Sequence, residues 1–164
     1  MSSAVKKILL GTAAILWMSF MFLMSSSNGE ASGAMSGGLT DFVTRLFFKD
    51  LIAGDAKKEY ILKLQLEFFI RKAAHLTEYL ILGGLFISFL LQFRIRYILA
   101  GLIAFAAAVL FAFSDEFHQS FVEGRVGLIF DVLVDAAGAL IGIFVLMAII
   151  AVVRLSKKEA VKKR

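Results

Sequence analysis

An all-α bundle embedded in a membrane is the fold class this sequence predicts, and three observations carry the prediction. Apolar residues make up 60% of the 164 residues and mean hydropathy is +0.85, whereas a soluble domain is about half apolar and a quarter charged. Charged residues are only 19% of the chain, and they are clustered. Four apolar segments are each long enough to cross a bilayer, which takes roughly 17–25 residues as helix. A bilayer core offers the backbone no partner, so each span must pair its own polar groups, and helices do this. The absence of proline suits uninterrupted spans.

Residues 1–24 hold the first span, "ILLGTAAILWMSFMFLM" at 8–24. Its basic start, apolar run and small residues near Ala31 and Gly33 also resemble a signal peptide. The apolar run exceeds the usual signal core of roughly 7–15 residues, which favours a retained helix or uncleaved signal anchor. Residues 25–38, "SSSNGEASGAMSGG", read as a flexible linker by composition. In 39–72, Leu39, Phe42, Val43, Leu46 and Phe47 recur at helical spacing, with Thr40 or Asp41 as a cap. That pattern predicts an amphipathic helix on the outer membrane surface or packed against the rest of the domain. Further on, Glu59–Lys63 and Glu67–Arg71 are i,i+4 pairs on a continuing helix.

Residues 73–153 hold three spans, at about 73–91, 97–113 and 128–153, and 154–164 form a basic tail. Lys6 and Lys7, Arg94 and Arg96, and the tail from Arg154 onward all fall at one side. The positive-inside rule makes that side cytoplasmic, with both termini inside. The linker, the amphipathic region and the 115–125 loop then face outward. The net charge of +5 sits largely in these flanks, which argues for topology and lipid headgroups rather than nucleic acid. Zero cysteines exclude disulfides and thiolate chemistry. No phosphate-binding glycine loop or serine nucleophile motif is present.

Three polar clusters interrupt this apolar chain. On the second span His75, Glu78 and Tyr79 share a helical face, with Arg71 and Lys72 one turn back. At the end of the third, Asp115, His118 and Gln119 have the same relation, and Glu116 lies about 100° round. Arg125 follows in a glycine-flanked loop. Asp131 and Asp135 are i,i+4 on the fourth span, and Gly138 and Gly142 continue their stripe as a pattern that permits close helix approach. All three clusters fall at one membrane level. A charge at the bilayer centre costs about 2.5–3.5 kcal/mol on insertion scales, so these groups are expected to face one another or a wet cavity. Arg125 with Asp131 or Asp135 is equally readable as an ion pair tying loop to helix.

His75 with Asp115 and Glu116 are the acid–base candidates. Lys72, Tyr79, Gln119, Arg125, Asp131 and Asp135 are the candidates for holding substrate, with Arg71, Lys72 and Arg125 suited to a phosphate. His75, Glu78, Asp115, His118, Asp131 and Asp135 are all nitrogen or oxygen donors. No strict zinc spacing is present, no metal ligand is assigned, and the cofactor is left open.

The stretches "RKAAHLTEYLILG" and "FSDEFHQSFVEGRVGLIFDVLVDAAGALIG" resemble the VanZ-like membrane family over residues 71–142. The resemblance implies that Lys72, His75, Tyr79, Asp115, Glu116, Gln119, Arg125, Asp131 and Asp135 form the family's polar set. Glu123 stands where the family often has proline, which alters loop stiffness and adds a charge. The family is named for a protein linked to teicoplanin resistance. The resemblance therefore implies the bacterial plasma membrane, the cell envelope and antibiotic resistance as the setting. The expected partner is an envelope lipid or lipid-linked cell-wall intermediate. A non-catalytic accessory protein that alters antibiotic or lipid access is the alternative. A proton-coupled transporter fits less well, because the middle of the third span has no ionisable residue.

Overall fold

The structure, a computed structural model, describes residues 2–27, 29–125 and 127–162. Asn28 of the predicted linker, and Lys163 and Arg164 of the basic tail, lie outside the described residues. Six α-helices account for almost all of it: α1 (Ser3–Ser25), α2 (Gly29–Phe47), the single-turn α3 (Lys49–Ile52), α4 (Ala56–Leu90), α5 (Tyr97–Gln119) and α6 (Ile129–Lys162). Four of them, α1, α4, α5 and α6, are long and apolar enough to span a membrane, as the composition predicts.

Helix α4 is the spine. Asp55 caps its start by accepting from the Lys58 N–H. At 1.5 Å per residue its 35 residues reach about 52 Å, well beyond a hydrocarbon core of about 30 Å. Its N-terminal half therefore projects out of the bundle, and α2 lies along that projection. The turn between them uses Gly54 at φ +80°, where a side chain would be strained.

Small residues bring the spans together. Gly138 and Gly142 place the α6 backbone against the carbonyls of Leu76 and Leu80 on α4, and Gly83 meets Ala139. On α5, Ala100, Ala104, Ala108 and Ala112 are all buried and recur every fourth residue, forming a smooth ridge against its neighbours. Apolar side chains such as Ile98, Leu110, Leu133 and Phe144 point outward, as suits lipid contact. Helix α1 is tied in by Trp17, whose indole N–H donates to the Glu78 carbonyl at 3.0 Å.

Two features depart from the sequence reading. Gly29 onward is helical, although its glycines and serines suggested a linker. Packing on α4 overrides weak intrinsic propensity here: Thr40 and Thr44 are buried, and Ser36 donates to Glu67 at 3.0 Å. Helix α5 also runs past Phe113 to Gln119, so Asp115 and Glu116 sit on a helical turn rather than in a loop. The apolar stripe of α2 faces outward, with Phe42, Leu46 and Phe47 exposed, while its small polar face docks on α4.

Candidate functional site

The polar residues gather where the end of α5, the beginning of α6 and the middle of α4 meet. The glycine stripe of α6 explains the register. Because Gly138 and Gly142 face α4, Asp135 one turn earlier faces it too, and the side chain beside it is His75. His75 Nδ1 lies 3.4 Å from Asp135 Oδ1. That is an ion-pair distance but too long for a good hydrogen bond, and neither Asp135 oxygen has a hydrogen-bond partner. Asp135 is wholly buried.

Glu116 comes from α5 and continues the alanine series by a further four residues. Its Oε2 accepts from the Leu128 N–H at 2.8 Å, while Oε1 has no hydrogen-bond partner. The loop after α5 folds back tightly enough that a side chain at Gly127 would strike the Glu116 carbonyl. Glu116, Asp135 and His75 converge, with one donor atom from each all within 4.8 Å of one another. Asp115 is also buried, but it lies toward α1. Its Oδ2 accepts from Gln119 Nε2 at 3.1 Å, and Oδ1 is unpartnered. Tyr79 is completely buried against Phe111, with ring centroids 6.2 Å apart and its hydroxyl unpartnered. It belongs to the interior beneath the cluster rather than to an interfacial aromatic belt.

The cations divide into two kinds. Lys72 pairs closely with Asp131 of α6, and both are largely buried. The ammonium that the sequence offers as a phosphate clamp thus already has a carboxylate. Arg125 forms no ion pair with Asp131 or Asp135. Its guanidinium reaches back to α1, donating to the Met24 carbonyl at 3.4 Å, and its Nε has no partner. Burial, reinforced by the like charge of Arg71, lowers the Arg125 guanidinium from its ordinary value, against the pull of Asp115, Glu116 and Glu78. Arg71 itself is paired with Glu67 at 3.2 Å.

Two recesses flank these residues, and Arg71, His75 and Arg125 line both. The first, of about 230 Å³, is walled by Met21, Met24, Leu39 and Ile70, with Glu78 and Asp115 as its acids. The second, of about 460 Å³, opens along Phe68, Lys72, Asp131 and Leu128. Each joins apolar walls to cationic groups. Their linings hold an imidazole, carboxylates and guanidinium groups, side-chain types that in general exchange protons and pair with anions.

His75, Glu116 and Asp135 are thus brought together, with Tyr79 buried beside His75 and with Asp115, Gln119 and Arg125 around them. His118 is turned away: it bonds Ser26 Oγ at 3.1 Å and stacks on Phe22 at 4.3 Å. Glu78, on the same face of α4 as His75, lines the first recess, and Asp135 is the ion-pair partner of His75. Ser25, buried at the end of α1 in the first recess, was not singled out from sequence. Being a serine after a long apolar run, it reads only as the start of a linker. No similar curated protein and no similar solved structure was found. The VanZ/LLP1 family model matches residues 10–152, which takes in all or most of each of the four spans and every polar residue of the site, and the chain belongs to that family.

Proposed function

We propose that the paired recesses bind the anionic headgroup of an amphiphilic envelope lipid, or of a lipid-linked cell-wall intermediate, at the outer membrane face. The observation that carries this reading is Arg125. Its guanidinium is drawn into the recess, has no carboxylate partner among the described residues, keeps a free Nε, and stands beside Arg71 over apolar walls. An unneutralised guanidinium in a partly desolvated groove suits a phosphate, and the apolar walls suit a tail.

The orientation is supported by the charge at the far end. There Lys7 lies 4.4 Å over the Phe93 ring and Arg154 lies 4.8 Å over Tyr97. The positive-inside rule reads such basic groups as cytoplasmic, which supports a recess on the outer side. In a catalytic version His75, Asp115 and Glu116 move protons at the bound headgroup, while Arg125 holds it.

Native mass spectrometry of the chain purified in mild detergent tests the reading. A phosphate-bearing lipid is expected on the intact chain, with occupancy falling about tenfold or more in Arg125→Gln, as loss of a charge-assisted bond implies. Arg45→Gln removes the same charge from exposed α2 and is expected to keep the lipid. Equal loss in both variants, or no phosphate-bearing lipid on the intact chain, contradicts the proposal.

A further inference from the structure

The interior cluster raises a charge problem that the lipid reading leaves untouched. Asp135 is completely buried with both oxygens unpartnered, and Glu116 is buried with Oε1 unpartnered. Among the described residues the only ion-pair partner of either is His75, since Lys72 is taken by Asp131 and Arg125 bonds a carbonyl. Burying two carboxylates this way is strongly unfavourable unless something compensates. Tyr79 adds an independent sign. Its hydroxyl, one turn from His75 and fully buried, has no partner, and its acidic neighbours are Asp135, Asp115, Glu116 and Glu78.

We infer that His75, Glu116 and Asp135 form a binding site for a divalent first-row transition cation of the zinc(II) or manganese(II) kind. Three rigid helices each supply one donor, and those atoms lie within 4.8 Å of one another. Three donors held about 2.0–2.2 Å from one ion lie about 3–3.8 Å apart unless two are trans, so closing the site needs side-chain shifts of up to about an ångström. Two carboxylates and a neutral imidazole match a divalent charge and leave the buried group neutral. An imidazole with oxygen donors and no sulfur suits zinc or manganese more than the harder magnesium or calcium. The ion gives Asp135 and Glu116 the partner they lack. His75 lines both recesses, so the ion's remaining positions adjoin the space there. The competing account is that the carboxyl groups hold protons instead of an ion.

The chain has only two histidines, which makes the test sharp. The full chain, carried without a histidine tag in lipid nanodiscs and stripped by chelator, is loaded with manganese(II) and desalted. Manganese content is then measured, and pulsed electron paramagnetic resonance reads coupling to directly bound nitrogen. The expected result is one manganese per chain with a nitrogen coupling that His118→Gln preserves and His75→Asn removes. Asp135→Asn is expected to weaken binding beyond the roughly 10–100-fold typical of losing an outer partner, and zinc(II) but not excess magnesium(II) to displace the ion. Should His75→Asn fail to fold, the His118→Gln spectrum still assigns the nitrogen. Sub-stoichiometric manganese, no nitrogen coupling, or coupling lost in His118→Gln overturns the site. None of these readouts involves lipid, so the outcome is independent of the headgroup proposal.

Discussion

Asp131 and Asp135 are one helical turn apart yet meet different fates. Asp131 reaches Lys72 and forms a closed pair, whereas Asp135 meets His75 at a distance that leaves its oxygens unpartnered. The first is a tie between α4 and α6, and removing one partner strands a mostly buried charge. Lys72→Ala is therefore expected to cost about 3 kcal/mol, read as a lowered unfolding midpoint in detergent. The double variant Lys72→Met/Asp131→Leu is expected to recover most of that loss. A single variant as stable as the parent would show that the pair contributes nothing. Much at this scale was legible beforehand: the residues are polar where the chain should be greasy. What the sequence hid was partner choice. Lys72, Arg125, Asp131 and Asp135 allow several pairings, and only the register of α6 on α4 selects among them. The inward aim of Glu116 had a readable signal, the four-residue spacing from Ala100 through Ala112, but the eye goes to Asp115 and its i+3 and i+4 neighbours instead.

At the scale of elements, the glycine stripe of α6 does what its spacing predicts, and α4 and α6 touch backbone to backbone. Adding a methyl group at Gly138 forces it into the Leu76 carbonyl, while Gly84 on α4 has open space around it. Gly138→Ala is expected to lose about 1–3 kcal/mol by overpacking and to spread His75 from Asp135. Gly84→Ala is expected to leave stability unchanged or slightly raised by its better helix propensity. Thermal unfolding of the two variants side by side checks this, and equal midpoints would contradict the close approach. The first half of helix α2, residues 29–38, is what the sequence concealed. Glycine and serine give it poor intrinsic propensity, and its order comes from tertiary contact with α4, which no local pattern reports. Its polar side docks and its apolar side faces out, the inverse of a soluble helix. The Asp41–Lys63 pair at 2.9 Å, which holds the Asp41 carboxyl below its usual range, adds an exposed link across that contact.

At the scale of the molecule, charge is segregated. One end of the bundle carries Lys6, Lys7, Arg94, Arg96 and the basic C-terminal turns, and the other carries the recesses, the buried acids and the projecting α2–α4 arm. A bilayer converts that asymmetry into direction. The four spans and their alternation follow from hydropathy alone, whereas the recess exists only because α1, α4, α5 and the loop after α5 close around Arg125. An envelope-facing role requires that recess to open to the cell exterior, and the chain's lack of cysteine allows a clean test. In intact cells a membrane-impermeant thiol reagent is expected to label Ser27→Cys, which lines the recess, and Ser120→Cys, which follows α5. It is expected to reach Gln92→Cys, in the turn at the opposite end, only after permeabilisation. Labelling of Gln92→Cys in intact cells with Ser27→Cys silent would turn the site toward the cytoplasm and contradict an envelope-facing role.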